Sequence, residues 1–175
     1  MDHKVEILPL TEQLFKIYIE VGTIAYNQHY LHLWKNSDSA PYISSSFTQD
    51  VLQKEEQDAN TELYLVKNGN ISIGVLKLDL DASLDSYGKK EAILLDKIYL
   101  LKEYSGKGIG KKVLDFTENR ARQLGKKIIW LDTMKTGSAL QFYLKNGFEI
   151  YSETKLIFRE AIESERPMYI MAKKI

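Results

Sequence analysis

Nine consecutive residues limit what this chain can fold into more than any other stretch. Tyr104-Ser105-Gly106-Lys107-Gly108-Ile109-Gly110-Lys111-Lys112 link an apolar, strand-like run at 93–101 to a helix-like run at 109–124. Three glycines at alternate positions let the backbone turn sharply and approach a ligand with no Cβ in between. The helix that follows starts with amide N–H groups that have no partner inside the helix, and its positive dipole end favours an anion. Strand, glycine turn and helix together predict an α/β unit that seats a phosphorylated ligand. The spacing narrows the choice. A Walker A loop needs Lys and then Ser or Thr after its second glycine, and no Ser or Thr follows Lys112. The dinucleotide fingerprint would require glycine where Lys111 stands. What remains is Gly-x-Gly-x-Gly followed by two lysines, whose charge suits a diphosphate or a 3′-phosphate. Taken alone, the same turn also serves simply to start a helix.

Composition removes several function classes. The 175 residues suit one domain spanning 1–175. Lys plus Arg equals Asp plus Glu, 24 each, so no overall field draws the chain to nucleic acid or an anionic membrane. There is no cysteine, which excludes disulfides, thiolate metal ligands and cysteine nucleophiles. Neither a signal-peptide pattern nor an apolar run of about 20 residues is present. The expectation is a cytoplasmic protein that engages neither membrane nor nucleic acid.

Periodicity reads as mixed α/β. A short strand at 5–8 precedes Pro9 and Thr11, which mark a helix start. Leu14, Ile17, Tyr18, Val21, Ile24 and Ala25 then form one helical face. The aromatic stretch 26–34 prolongs it, Pro41 interrupts, and Thr48 caps a second helix to 57. Asn68-Gly69-Asn70 joins strands 62–67 and 71–78 as a hairpin. A polar loop at 79–90 leads to the 93–101 strand, and Gly125 ends the helix after the glycine turn. Strand 127–131, helix 138–145, and strands 148–158 and 166–172 complete the chain.

The order of elements and two motifs resemble the GCN5-related N-acetyltransferases, which move the acetyl group of acetyl-CoA to an amine. Their acetyl-CoA motif (Gln or Arg, two residues, Gly, one residue, Gly or Ala) is matched by Ser105-Gly106-Lys107-Gly108-Ile109-Gly110. Their helix-and-turn motif Ala-x-x-Phe-Tyr-x-x-x-Gly-Phe is matched from Ala139 through Phe142 and Tyr143 to Gly147 and Phe148. The resemblance is strong from residue 71 onward and rests on element order before it. It implies a mixed, mostly antiparallel sheet of about seven strands flanked by helices and splayed at the acetyl-CoA site. Cosubstrate contacts are then expected from Ile98, Tyr99, Leu100, Ser105, Gly106, Lys107, Gly108, Ile109, Gly110, Lys111, Thr136 and Ala139. Two positions depart from the pattern. Ser105 stands where the family has Gln or Arg, and Thr136 where it often has Asn, which leaves a hydroxyl in place of an amide.

The resemblance also assigns chemistry. The amine attacks the thioester directly, so no covalent enzyme intermediate is required. A strand N–H at Leu100 or Leu101 would polarise the carbonyl, and Tyr143 holds the family position for the acid that protonates the leaving thiolate. Asp96 is the candidate base or amine-binding carboxylate, as related polyamine acetyltransferases carry acidic residues near it; pairing with Lys97 is the plainer alternative. Tyr26, Tyr30 and Trp34 are candidate acceptor contacts, since aromatic faces attract ammonium groups, although packing on the sheet would use them equally. His29 and His32 lack partners at matching spacing, so no metal is expected. Asp79, Asp81 and Asp85 form an acidic loop, an ordinary feature of wet segments. The implied activity is acetyl transfer to a small-molecule primary amine, with a non-catalytic acyl-CoA sensor as the alternative. A homodimer through the aromatic 151–158 strand stays open.

Overall fold

The computed structural model describes residues 4–175. Seven strands form one sheet in the order β1-β2-β3-β4-β5-β7-β6. They are β1 (Val5–Pro9), β2 (Thr61–Asn68), β3 (Ile71–Asp79), β4 (Ala92–Leu100), β5 (Ile128–Met134), β6 (Glu149–Lys155) and β7 (Pro167–Lys174). Every pairing is antiparallel except β4 with β5. That parallel pairing is short: Ala92, Ile93 and Leu94 lie against Ile128, Ile129 and Trp130, and beyond them the strands part. The expected mixed sheet and its splay are therefore present. The opening lies between the C-terminal halves of β4 and β5.

Five helices cover the faces: α1 (Phe15–Tyr30), α2 (Ala40–Ser46), α3 (Gln49–Gln57), α4 (Ile109–Gln123) and α5 (Ser138–Lys145). In α4, Ile109, Val113, Leu114, Thr117 and Ala121 recur at helical spacing and are buried. With Tyr143 of α5, the four apolar ones pack on Leu76, Ile93, Ile129 and Leu131. Across the sheet, Phe15 and Tyr18 of α1 join Trp34, Phe47 and Leu52 over Leu65 and Val75. A smaller cluster of Leu84, Ala92, Ile128 and Ala172 covers the same side further along β5. Among the described residues no helix is long and apolar enough to cross a membrane.

Several boundaries differ from the sequence reading for physical reasons. Pro41 does not interrupt but begins α2, because a first-turn residue needs no donated N–H. Thr48 caps α3 as expected, its Oγ1 accepting from the Val51 amide at 3.3 Å. The stretch after Tyr30 tightens into a 3-10 turn, Leu31–Leu33. In β4, Leu95 pairs with Leu78 and Lys97 with Lys77, leaving Asp96 unpaired at a bulge. This extra residue shifts the alternation along that strand. Ile93 and Leu95 before it, and Ile98 and Leu100 after it, all pack toward α4, while Tyr99 packs toward α1.

Candidate active site

A cleft of about 970 Å³ runs from the glycine turn along the opening between β4 and β5. Its phosphate end is built from the turn. Gly106 and Gly108 adopt positive φ (+71° and +77°) with no atom within 4 Å of where a Cβ would stand, so the backbone faces the cleft bare. Gly108 is the N-cap of α4, whose first-turn amides have no partner within the helix. Gly110 serves packing: a Cβ there would meet the Phe142 ring at 3.0 Å, so its absence lets α4 and α5 close together. Lys102 and Lys145 add positive charge to the lining, and Lys111 beside them pairs with Asp115. Bare amides, a helix dipole and lysines fit a diphosphate with an attached 3′-phosphate.

Most of the expected cosubstrate residues line this cleft: Ile98, Tyr99, Leu100, Ser105, Gly106, Gly108, Gly110, Lys111, Thr136 and Ala139. Two do not. The Ile109 side chain is 1% exposed and belongs to the core beneath α4, so only its backbone is at hand. The Lys107 ammonium turns back over the Tyr104 ring, 5.4 Å from its centre.

The strand edge facing the opening is defined by hydrogen bonds. The Leu101 N–H donates to the Ile73 carbonyl at 2.8 Å, which occupies it within the β3 side of the sheet. Successive peptides of a strand point to opposite sides, so Ile98 and Leu100 turn theirs toward β5. Of the two amides expected to polarise a carbonyl, only that of Leu100 remains. The end of α1 is tied to the same segment, a contact the sequence did not reveal. His29 Nε2 lies 2.9 Å from the Leu100 carbonyl, and Gln28 Oε1 accepts from the Lys102 amide at 2.7 Å.

Tyr143 lies at the inner wall. Its ring packs edge-on against Phe142 and Phe148, which fixes its direction, and the residue lines the cleft. Burial, and secondarily the nearby Tyr30 phenol, hold its hydroxyl well above the ordinary tyrosine range. It therefore keeps its proton at neutral pH.

The acceptor-side expectations need correction. Tyr30 lines the cleft. Tyr26 and Trp34 do not: Trp34, 1% exposed, donates from Nε1 to the Tyr26 hydroxyl at 3.0 Å, and Tyr26 stacks on Tyr42 with centroids 4.0 Å apart. Both are core aromatics holding α1 to α2. Asp96 is also displaced from its expected role. It lies outside the cleft lining and pairs with Lys97 at 2.7 Å and Lys77 at 3.3 Å. Burial by itself raises the Asp96 pKa, but Lys97 and Lys77 outweigh it and hold the carboxyl below its ordinary value. A carboxylate so neutralised is a weak base. His29 and His32 line the cleft, and among the described residues no group of three His, Cys, Asp or Glu is gathered to hold a metal. Of the acidic loop, Asp81 pairs with Lys126, Asp85 accepts from the Tyr151 hydroxyl, and Asp79 lies near Lys77.

Comparison with known proteins agrees with this geometry. Residues 59–150 match the family model for the acetyltransferase (GNAT) domain. An uncharacterised N-acetyltransferase from the pepI 3′ region of Lactobacillus delbrueckii subsp. lactis is 27% identical over 117 residues, covering 66% of this chain and 68% of that protein. Among solved structures, the PaiA N-acetyltransferase of Thermoplasma acidophilum in complex with coenzyme A superposes with a TM-score of 0.78. That match, at 21% identity, covers 98% of this chain and 99% of the other. A GNAT acetyltransferase of Elizabethkingia anophelis with acetyl-CoA bound matches over the full length of both chains, with a TM-score of 0.63 and 19% identity. With more than half its length in the family model and the cofactor cradle in place, this chain belongs to the GNAT acetyltransferase family and is an acetyl-CoA-dependent acyltransferase.

Proposed function

We infer that the protein transfers the acetyl group of acetyl-CoA directly to a primary amine of a small molecule while both substrates are bound. The chain 1–175 acts as a single catalytic domain in this reading. The turn amides at Gly106–Gly110 and the neighbouring lysines hold the phosphates, and Thr136 and Ala139 border the pantetheine arm. The N–H of Leu100, with Ile98 two residues back on the same strand edge, stabilises charge developing on the thioester oxygen. The neutral amine attacks the carbonyl carbon, the C–S bond breaks as the C–N bond forms, and the thiolate takes the proton of Tyr143. The second proton of the new amide nitrogen restores the phenol. Acceptor binding falls to the Tyr30 side of the cleft. A homodimer would form through β6, whose outer edge is unpaired among the described residues and where Ile150 and Tyr151 are exposed.

The observation that carries this reading is Tyr143: a protonated phenol, locked by two rings, on the wall of the cleft that the glycine turn opens into. Thiol release from acetyl-CoA, measured with a panel of primary amines, is the test. Tyr143→Phe should lower kcat about 100-fold or more while acetyl-CoA affinity stays unchanged. Wild-type kcat in that variant removes the acid role. A wild-type protein that binds acetyl-CoA and acetylates no small amine removes the acceptor class.

A further inference from the structure

β4 loses one neighbour early. Its pairing with β5 ends at Leu94 and Trp130, so the strand runs on to Leu100 with only β3 beside it. A strand end paired on one side is among the segments that open most readily. At this end α1 takes the place of the missing strand. His29 Nε2 lies 2.9 Å from the Leu100 carbonyl oxygen, and Gln28 Oε1 accepts from the Lys102 amide at 2.7 Å. A carbonyl oxygen only accepts, so Nε2 is the nitrogen of His29 that carries hydrogen. The two side chains are neighbours in the last turn of α1, and their bonds span 71 and 74 positions of the chain. The helix that carries them is anchored by Phe15, Tyr18, Val21, Ala25 and Tyr26, all buried.

The grip falls on the residue whose amide faces the thioester. Leu100 and Gly74 share a rung in which the Leu100 N–H and C=O both point away from β3. His29 takes the carbonyl, and the N–H is left toward the opening. The peptide that follows is pinned from both sides: His29 holds the Leu100 oxygen, and the Leu101 N–H donates to the Ile73 carbonyl at 2.8 Å. The peptide before it is pressed against Gly74, where an added Cβ would stand 2.5 Å from the Tyr99 carbonyl oxygen. With the planes on either side of the Leu100 Cα held, its φ and ψ are set, and with them the direction of its N–H. Just beyond, Gln28 fills the first amide of the 3-10 turn Lys102–Tyr104, which leads into the glycine turn.

We propose that His29 and Gln28 form a clasp that aims the Leu100 amide, as positioning residues that act through the end of β4. The inference rests on the acetyl-transfer reading and adds to it how the carbonyl-polarising amide is held. Without His29 the peptide between Leu100 and Leu101 tilts, and the N–H swings off the thioester oxygen. A displacement of about 1 Å at such a contact costs on the order of 100-fold in rate. Partial loss of aim therefore predicts a fall of about tenfold or more in kcat.

Two substitutions at one position test the aim. His29→Leu removes the donor, whereas His29→Gln keeps an N–H at the reach of Nε2. With the best amine of the panel, His29→Leu should lose about tenfold or more in kcat, with amine KM and acetyl-CoA affinity within about threefold. His29→Gln should return kcat to within about threefold of wild type. A packing role would lower Tm and leave kcat in place, and a proton-transfer role would be lost in both variants; either result, or a loss carried by KM, overturns the proposal. A second measurement needs no acceptor. In nitrogen-15-labelled protein, the Leu101 amide should exchange with solvent about tenfold faster in His29→Leu, and the Lys102 amide likewise in Gln28→Leu. Unchanged exchange overturns the clasp even if no tested amine is a substrate. Failure of the acetyl-transfer reading itself is distinguishable, because it appears as absent turnover in the wild-type protein while both exchange rates still rise in the variants.

Discussion

Gly108→Ala tests the phosphate seat with a known quantity of strain. Gly108 has φ +77° and ψ −1°, and no atom lies within 4 Å of the added methyl, so crowding contributes nothing. The cost is conformational. A residue with a Cβ held in the left-handed region loses about 1–2 kcal/mol. The stiffer unfolded chain offsets part of this, leaving about 1 kcal/mol net. That energy must surface in one of two places. If the turn keeps its shape, stability drops by about 1 kcal/mol, or about 2–4 °C in Tm for a domain of this size, and CoA affinity holds. If the turn relaxes, Tm holds and CoA binds about fivefold more weakly, since 1.4 kcal/mol is a factor of ten. Gly125 supplies the control: its φ is +70°, its Cβ position is equally open, and it ends α4 at the far pole from the cleft. Gly125→Ala should lower Tm alone. Thermal melts and titration calorimetry with CoA measure both terms. A Gly108→Ala protein with wild-type Tm and wild-type CoA affinity refutes the strained-turn account.

The other predictions concern residues the structure reassigned. Asp96→Asn leaves Lys97 and Lys77 short of a counter-charge and should cost about 2–3 kcal/mol at neutral pH, below the fully buried range because part of Asp96 meets solvent. The folded-state pKa of Asp96 is depressed, so its contribution is complete above the unfolded value near 3.9 and is lost as pH falls through the folded one. Urea melts should therefore show a shallower acid-side decline in the Asn variant than in the wild type, and parallel declines would count against the pairing. Trp34→Phe removes the donor to the Tyr26 hydroxyl and should cost about 1–3 kcal/mol with amine KM unchanged. A raised KM at intact stability would return Trp34 to the acceptor site.

The cofactor half of the site was legible because it is written in local sequence. A glycine turn between a strand and a helix constrains its own residues, and the Phe142–Tyr143 pair sits one turn above a glycine stop. The acceptor half was not. Trp34 and Tyr26 have the chemistry of an ammonium cage, but their mutual hydrogen bond and the α2 helix beneath them are long-range facts. Asp96 sits at a bulge created by pairing with β3 and is held by Lys77 of that strand as well as by Lys97, and the contact with β3 is a long-range fact. Pro41 misled for the opposite reason: the same ring that breaks a helix interior is neutral in its first turn.

The three rungs that join β4 to β5 make the sheet behave as two plates on a short hinge. One plate is the meander β1 to β4, and the other is β5 with β7 and β6. Ile93 and Ile129, both fully enclosed, form the middle rung and act as the pin. The angle between the plates, and with it the width available to two reactants, is thus set by the size of a pair of side chains that neither reactant touches. Substrate range in this scaffold can be altered from the hinge outward, without a change to any residue of the reaction itself.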